Sequence, residues 1–128
     1  VLWIPGPLPS LNELIAAAKG KGGRGYDYAR LKRGWTDSIA LLARAARLPR
    51  MERVFIRFTW RERDKRRNPD NVAAGGRKMV LDGLVTAGVL GNDGWGEVAG
   101  WSDAFEVSQG PGVLVTFEPV SAAVAPAA

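Results

Sequence analysis

The chain has 128 residues and contains no cysteine and no histidine. Without cysteine there are no disulfides and no thiolate chemistry. Without either residue there is no His/Cys zinc site and no mechanism that carries protons on imidazole. A bound metal would have to be held by oxygens, which favours Mg²⁺ or Mn²⁺. No apolar run approaches the roughly 20 residues that span a bilayer, so no membrane partner is expected. The first residues, Val1-Leu2-Trp3-Ile4-Pro5, place no basic residue ahead of the apolar ones, so a secretory leader is not expected either.

Hydrophobic residues make up 46% of the chain, enough for one modest core, and neither a repeat nor a domain boundary is visible. The formal charge is +5, and 13 of the 18 basic residues are arginine. Such a balance favours a polyanionic partner, nucleic acid being the commonest for a protein of this kind. An Ala-, Gly- and Arg-rich composition is also what a GC-rich genome produces, so charge alone does not decide.

Periodicity predicts the elements. Residues 1–9 read as a short strand entering a proline-marked turn. Ser10 is placed to cap a short helix running to about Lys19, with Glu13 as its capping-box partner. A basic glycine loop follows, with Lys19, Lys21 and Arg24. Leu31, Trp35, Ile39, Leu42 and Ala46 recur at spacings of three and four, one face of a helix over about 27–47. Val54, Ile56, Phe58 and Trp60 alternate with polar residues as a half-buried strand over 53–60. A second helix covers roughly 72–87, buried through Met79, Val80, Leu84 and Ala87, with Gly88 as a left-handed cap. Strands near 97–107 and 112–118 are joined by Gln109-Gly110-Pro111-Gly112, and 119–128 read as a disordered tail.

Two loop segments carry the chemistry. In Asn68-Pro69-Asp70-Asn71, proline forces an extended entry, so Asn68 and Asp70 can face one direction and share a hard cation. The same residues are good turn chemistry, and Asp70 or Asn71 would cap the following helix. Gly91-Asn92-Asp93-Gly94 reads alone as a connecting turn. Asp93 reaches Asp70 only if the chain reverses soon after Gly88. Lys78 and Asp82, four apart, are expected to pair on the helix surface; the alternative places Lys78 near a phosphate. Asp82 would lie about 18 Å along the axis from Asp70, too far to share a metal, and is left out of the site. Trp35 and Trp60 fall on buried faces. Trp95 and Trp101, flanking the Asp93 loop, suit core or dimer packing better than base stacking.

The order of these pieces resembles the RusA family of Holliday-junction resolvases, found in bacteria and their prophages. That pattern is a basic residue, Asp-x-Asp-Asn, a helix with Lys and a later Asp-x-Leu, then Ala-Gly-Val and an acidic pair. Here stand Arg67-Asn68-Pro69-Asp70-Asn71, Lys78, Asp82-Gly83-Leu84, Ala87-Gly88-Val89 and Asn92-Asp93; Pro9-Ser10-Leu11-Asn12 resembles the family's Pro-Ser-x-Asn. The likeness spans most of residues 3–118. It departs at Asn68 and Asn92, where the family has acids, which should weaken metal affinity. The helix is also about one turn longer before Lys78, which leaves Arg77 an alternative to it.

The resemblance implies a single α+β domain over 1–118, a small mixed β-sheet packed against two main helices, working as a homodimer in the bacterial cytoplasm. The implied activity is Mg²⁺-dependent hydrolysis (Mn²⁺ being the substitute) that resolves four-way DNA junctions by symmetric nicks. Asp70 and Asp93, helped by Asn68, would hold the metal, and Lys78 would stabilise the transition state. Arg61, Arg63, Lys65, Arg66, Arg67 and Arg77, with Lys19, Lys21 and Arg24, would line the DNA path. The alternative is a branched-DNA binder whose two asparagines mark impaired catalysis.

Overall fold

A computed structural model describes residues 1–20 and 26–121. Its elements are β1 (Leu2–Pro5), α1 (Leu11–Ala18), α2 (Tyr26–Ala45), β2 (Val54–Glu62), α3 (Pro69–Thr86), β3 (Val98–Val107) and β4 (Gly112–Pro119). The expected helices and strands are all present, shifted by a few residues at their ends. Lys21 and Arg24 lie outside the described residues, as does most of the expected tail. Pro119, however, belongs to β4, and the Val120 N–H bonds the Arg53 carbonyl.

The four strands form one mixed sheet in the order β1-β4-β2-β3. β2 is central. It pairs parallel to β3 and antiparallel to β4, so β2-α3-β3 is a crossover unit. The glycine-proline turn after β3 therefore does not close a hairpin. It carries the chain past β2 to its other side, where β4 also pairs with β1. β3 is left as an edge.

The alternation in β2 does what the pattern predicts. Val54, Ile56, Phe58 and Trp60 are all buried under the helices, with Phe58 and Trp60 stacked at 5.3 Å. α3 reaches them closely because Gly75 and Gly76 give it a face without side chains. A Cβ on Gly76 would sit 2.4 Å from the Trp60 ring, and one on Gly75 would sit 2.3 Å from the Pro9 carbonyl. α2 packs on the other flank of α3, with Ile39 against Gly83. Ser10 and Glu13 form the expected capping box of α1. Gly88 has φ 81° and ends α3 as expected, and buried Val89 and Leu90 anchor the chain just beyond.

Candidate functional site

α3 decides the geometry, because the two chemistry-bearing segments sit at its two ends. Asp70 is in the first turn; Asn92 and Asp93 share a hollow with Thr86, Val85 and Asp82 at the last turn. From Asp70 to Thr86 is about 24 Å at 1.5 Å per residue. Within the chain Asp70 and Asp93 therefore do not share a cation, which corrects the expected convergence. The physical cause is the route after Gly88. Burial of Val89 and Leu90, and the bond from the Met51 N–H to the Val89 carbonyl, hold the loop at that end of the helix.

At the N-terminal end, the capping roles expected of the acid and amide groups are not taken up. Asn68 is the N-cap residue, yet its side chain makes no capping bond. Among the described residues Asp70 accepts only the N–H of Asn71, and the Asn71 side-chain oxygen accepts the Asn12 N–H, tying α3 to α1. Asn68 and Asp70 thus keep exposed oxygens. Asp70 also sits where the helix N-terminus favours negative charge.

The basic residues beside this end divide sharply. Arg67 forks onto Glu62, reaches Glu13 at 2.7 Å and donates to the Leu8 carbonyl. The bonds to Glu62 hold its charge, raising its pKa above the ordinary arginine value against the opposing effect of burial. Arg61 pairs with Glu106. Arg77 pairs with Asp103 and lies 4.6 Å from the centre of the Trp101 ring. These three are engaged by carboxylates of the fold, so their charge is less available to a DNA path than expected. Arg63 and Lys65 form no ion pair among the described residues, and Arg66 makes only a 3.6 Å contact with Asp64 while 89% exposed. They are the cations of this cluster left facing solvent. Lys19 is exposed as well, at the far end of α1.

The hollow at the other end, of about 290 Å³, brings together Asp82, Asp93, Asn92, Thr36, Thr86 and Lys32. Sequence reasoning set Asp82 aside because of its distance from Asp70; its nearness to Asp93 depends on the loop beyond α3 and could not be counted from spacing. Asp82 Oδ2 and Thr36 Oγ1 are buried without hydrogen-bond partners among the described residues. Lys32 Nζ lies 3.3 Å and Lys78 Nζ 3.8 Å from that same Asp82 oxygen, ion-pair contacts without hydrogen-bond alignment. The Lys78–Asp82 pair is the one expected from spacing. Asp93 is exposed, and the Asn92 side chain is turned onto the Asp93 backbone N–H. No three carboxylates gather at metal-binding distance among the described residues.

No family model and no curated protein matches this chain. The reading of function therefore rests on the side chains themselves. The donors are all hard oxygens, which suit Mg²⁺. The chain brings two carboxylates to the hollow and one to the N-terminal end of α3. Trp60 is core, as expected; Trp35 is half-buried against it. Trp95 is 98% exposed, which excludes a core role. No helix among the described residues is long and apolar enough to cross a membrane.

Proposed function

We propose that this protein is a Mg²⁺-dependent endodeoxyribonuclease of the RusA type. It cuts four-way DNA junctions as a homodimer in the bacterial cytoplasm, in recombination and repair or in the processing of phage DNA. The observation that carries this is the N-terminal end of α3: Asp70 and Asn68, free of capping duty, beside the solvent-facing Arg63, Lys65 and Arg66. Because α3 separates Asp70 from Asp93, each site is assembled from two chains. A two-fold axis beside α3 would run the helix antiparallel to its mate, so that Asp70 of one protomer meets the Asp82–Asp93 hollow of the other.

Asp70, Asp82, Asp93 and the carbonyl of Asn68 would hold the cation. When bound, it would polarise the phosphate, lower the pKa of an attacking water and neutralise the leaving 3′-oxygen. Arg63, Lys65 and Arg66 would bind the flanking phosphates, and Lys78 would balance charge on the phosphorane-like transition state. Water would add across one P–O bond, leaving a 5′-phosphate and a 3′-hydroxyl. Two such sites would nick strands of like polarity symmetrically.

The test uses a labelled four-way junction with and without Mg²⁺ or Mn²⁺. Asp70→Asn is expected to keep binding and lose nicking. Mixing Asp70→Asn with Asp93→Asn separates a shared site from one within a single chain. A mixed dimer with shared sites has one intact site and nicks one strand; with sites inside each chain it nicks none. A second reading, a branched-DNA binder with impaired catalysis, is favoured by Asn68 and Asn92 and by the two lysines held against Asp82. Tight junction binding with no nicking under either metal would select it, and binding no better than to plain duplex would overturn both.

A further inference from the structure

β3 is an edge strand of 10 residues, bulged at its start opposite Val54 and Phe55 but in unbroken register from Gly100 to Val107. Among the described residues it pairs only with β2, and it contains no proline and no lysine. Proteins usually block so long an edge. Its register with β2 sets Trp101, Asp103, Phe105 and Val107 on the helix-bearing side of the sheet. Asp103 is neutralised there by Arg77 and the Trp60 indole N–H. The apolar members of that row remain open: Trp101 is 46% exposed, Phe105 42% and Val107 54%. α3 covers β2 but stops short of β3.

The uncovered flank of α3 borders this row. At 100° per residue, Asp70, Ala74, Leu81 and Val85 fall within about 60° of one another on the helix. This line of small and aliphatic side chains runs from the Asp70 end to the Asp93 end. Where β3 ends, a hollow of about 350 Å³ opens, lined by Phe105, Val107, Val72 and Pro69 together with charged side chains of segment 62–67 and Glu106. Three residues before β3 begins stands Trp95, almost wholly in solvent.

The geometry points to β3 as the pairing edge of a homodimer. Two copies of β3 would run antiparallel about a two-fold axis near Ser102, and Trp95 of each chain would fill the hollow at the end of the other chain's β3. Only a second copy satisfies all the features at once. Antiparallel pairing of identical strands is self-complementary by symmetry. It sets the start of one β3 beside the end of the other, where an indole meets a hollow of suitable size. Charge agrees: segment 91–97 carries Asp93 and Glu97 and no base, while segment 63–67, which flanks the end of β3, carries four cations and one acid. The pairing also lays the two α3 flanks alongside each other in opposite directions, Asp70 toward the partner's hollow. The inference thus deepens the nuclease reading, but it is tested on association alone, without DNA or metal.

The experiment is sedimentation equilibrium of the purified chain, beside Trp95→Ala and Val107→Glu, with circular dichroism to confirm that each variant folds. Wild type is expected to dimerise, and each substitution to weaken the dimer roughly tenfold or more. Because the chain lacks cysteine, Ser102→Cys gives a second readout. It is expected to form a covalent dimer on mild oxidation, with Ser38→Cys, on the exposed side of α2, as the control that does not. A monomeric wild type would overturn the inference. So would a dimer indifferent to Trp95 and Val107 that Ser102→Cys fails to cross-link.

Discussion

Arg67 joins three parts of the molecule: the end of β2 through Glu62, the cap of α1 through Glu13, and the turn before α1 through the Leu8 carbonyl. Its side chain is 22% exposed and that of Glu62 16%, so the pair is partly shielded from water. Truncating it leaves a carboxylate and a carbonyl without their donors. Arg67→Ala is therefore expected to cost about 2–3 kcal/mol, below a fully buried pair because solvent screens part of it. Arg67→Lys should recover only part of that, since an ammonium cannot fork. Urea unfolding measures both. Burial pushes the Glu13 carboxyl up, but hydrogen bonds from Arg67 and Ser10 outweigh it and hold the pKa below the ordinary 4.5. A lowered folded pKa stabilises at pH values above the unfolded one, and the increment is lost as pH falls from there through the folded value. Glu13→Gln should thus be less stable at neutral pH and lose less than wild type below about pH 4.5, read from urea midpoints across that range. Nothing in the spacing of Arg67 distinguished it from Arg66. The partner carboxylates lie at 13 and 62, and only the packing of α1 on α3 brings them to one guanidinium.

At the scale of elements, two glycines in α3 look like mistakes. Glycine inside a helix costs about 1 kcal/mol relative to alanine. Yet Gly75 and Gly76 lie against the Pro9 carbonyl and the Trp60 ring, where a methyl group has no room. Alanine at either position is expected to destabilise by roughly 1–3 kcal/mol despite the better propensity. Gly34 in α2 has open space around its Cα, so Gly34→Ala should stabilise by about 0.5–1 kcal/mol. Thermal unfolding of the three variants checks the split in sign. The helices and strands themselves were legible because their apolar periods are strong; the alternation through Trp60 and the Ser10–Glu13 box are local signals. Strand order was not. A turn of Gly and Pro says that the chain bends after β3, but not that β4 passes the free edge of β3 to pair along the far edge of β2.

Across the whole molecule, net charge suggested a polyanion, but only the fold tells which cations are spare. The same limit applied to the site. The length of α3 could be read from the sequence, whereas the anchoring of Val89 and Leu90 that keeps Asp93 at its far end could not. Spare charge has a consequence that can be measured. Each cation that neutralises a DNA phosphate releases counterions, so the logarithm of the binding constant falls by about 0.9 per contact for each decade of salt. Replacing Arg63, Lys65 and Arg66 together by alanine is expected to make the salt slope for junction binding shallower by about 2–3, with little change in stability. Arg77→Ala should do the reverse. It leaves Asp103 with only the Trp60 indole N–H and Trp101 without its cation, and lowers the melting temperature, while the slope stays as it was. Titrating a fluorescent junction at several salt concentrations separates the two cases. An unchanged slope in the triple variant would mean that DNA does not run past the N-terminal end of α3, and Asp70 would then lose its claim to the scissile phosphate.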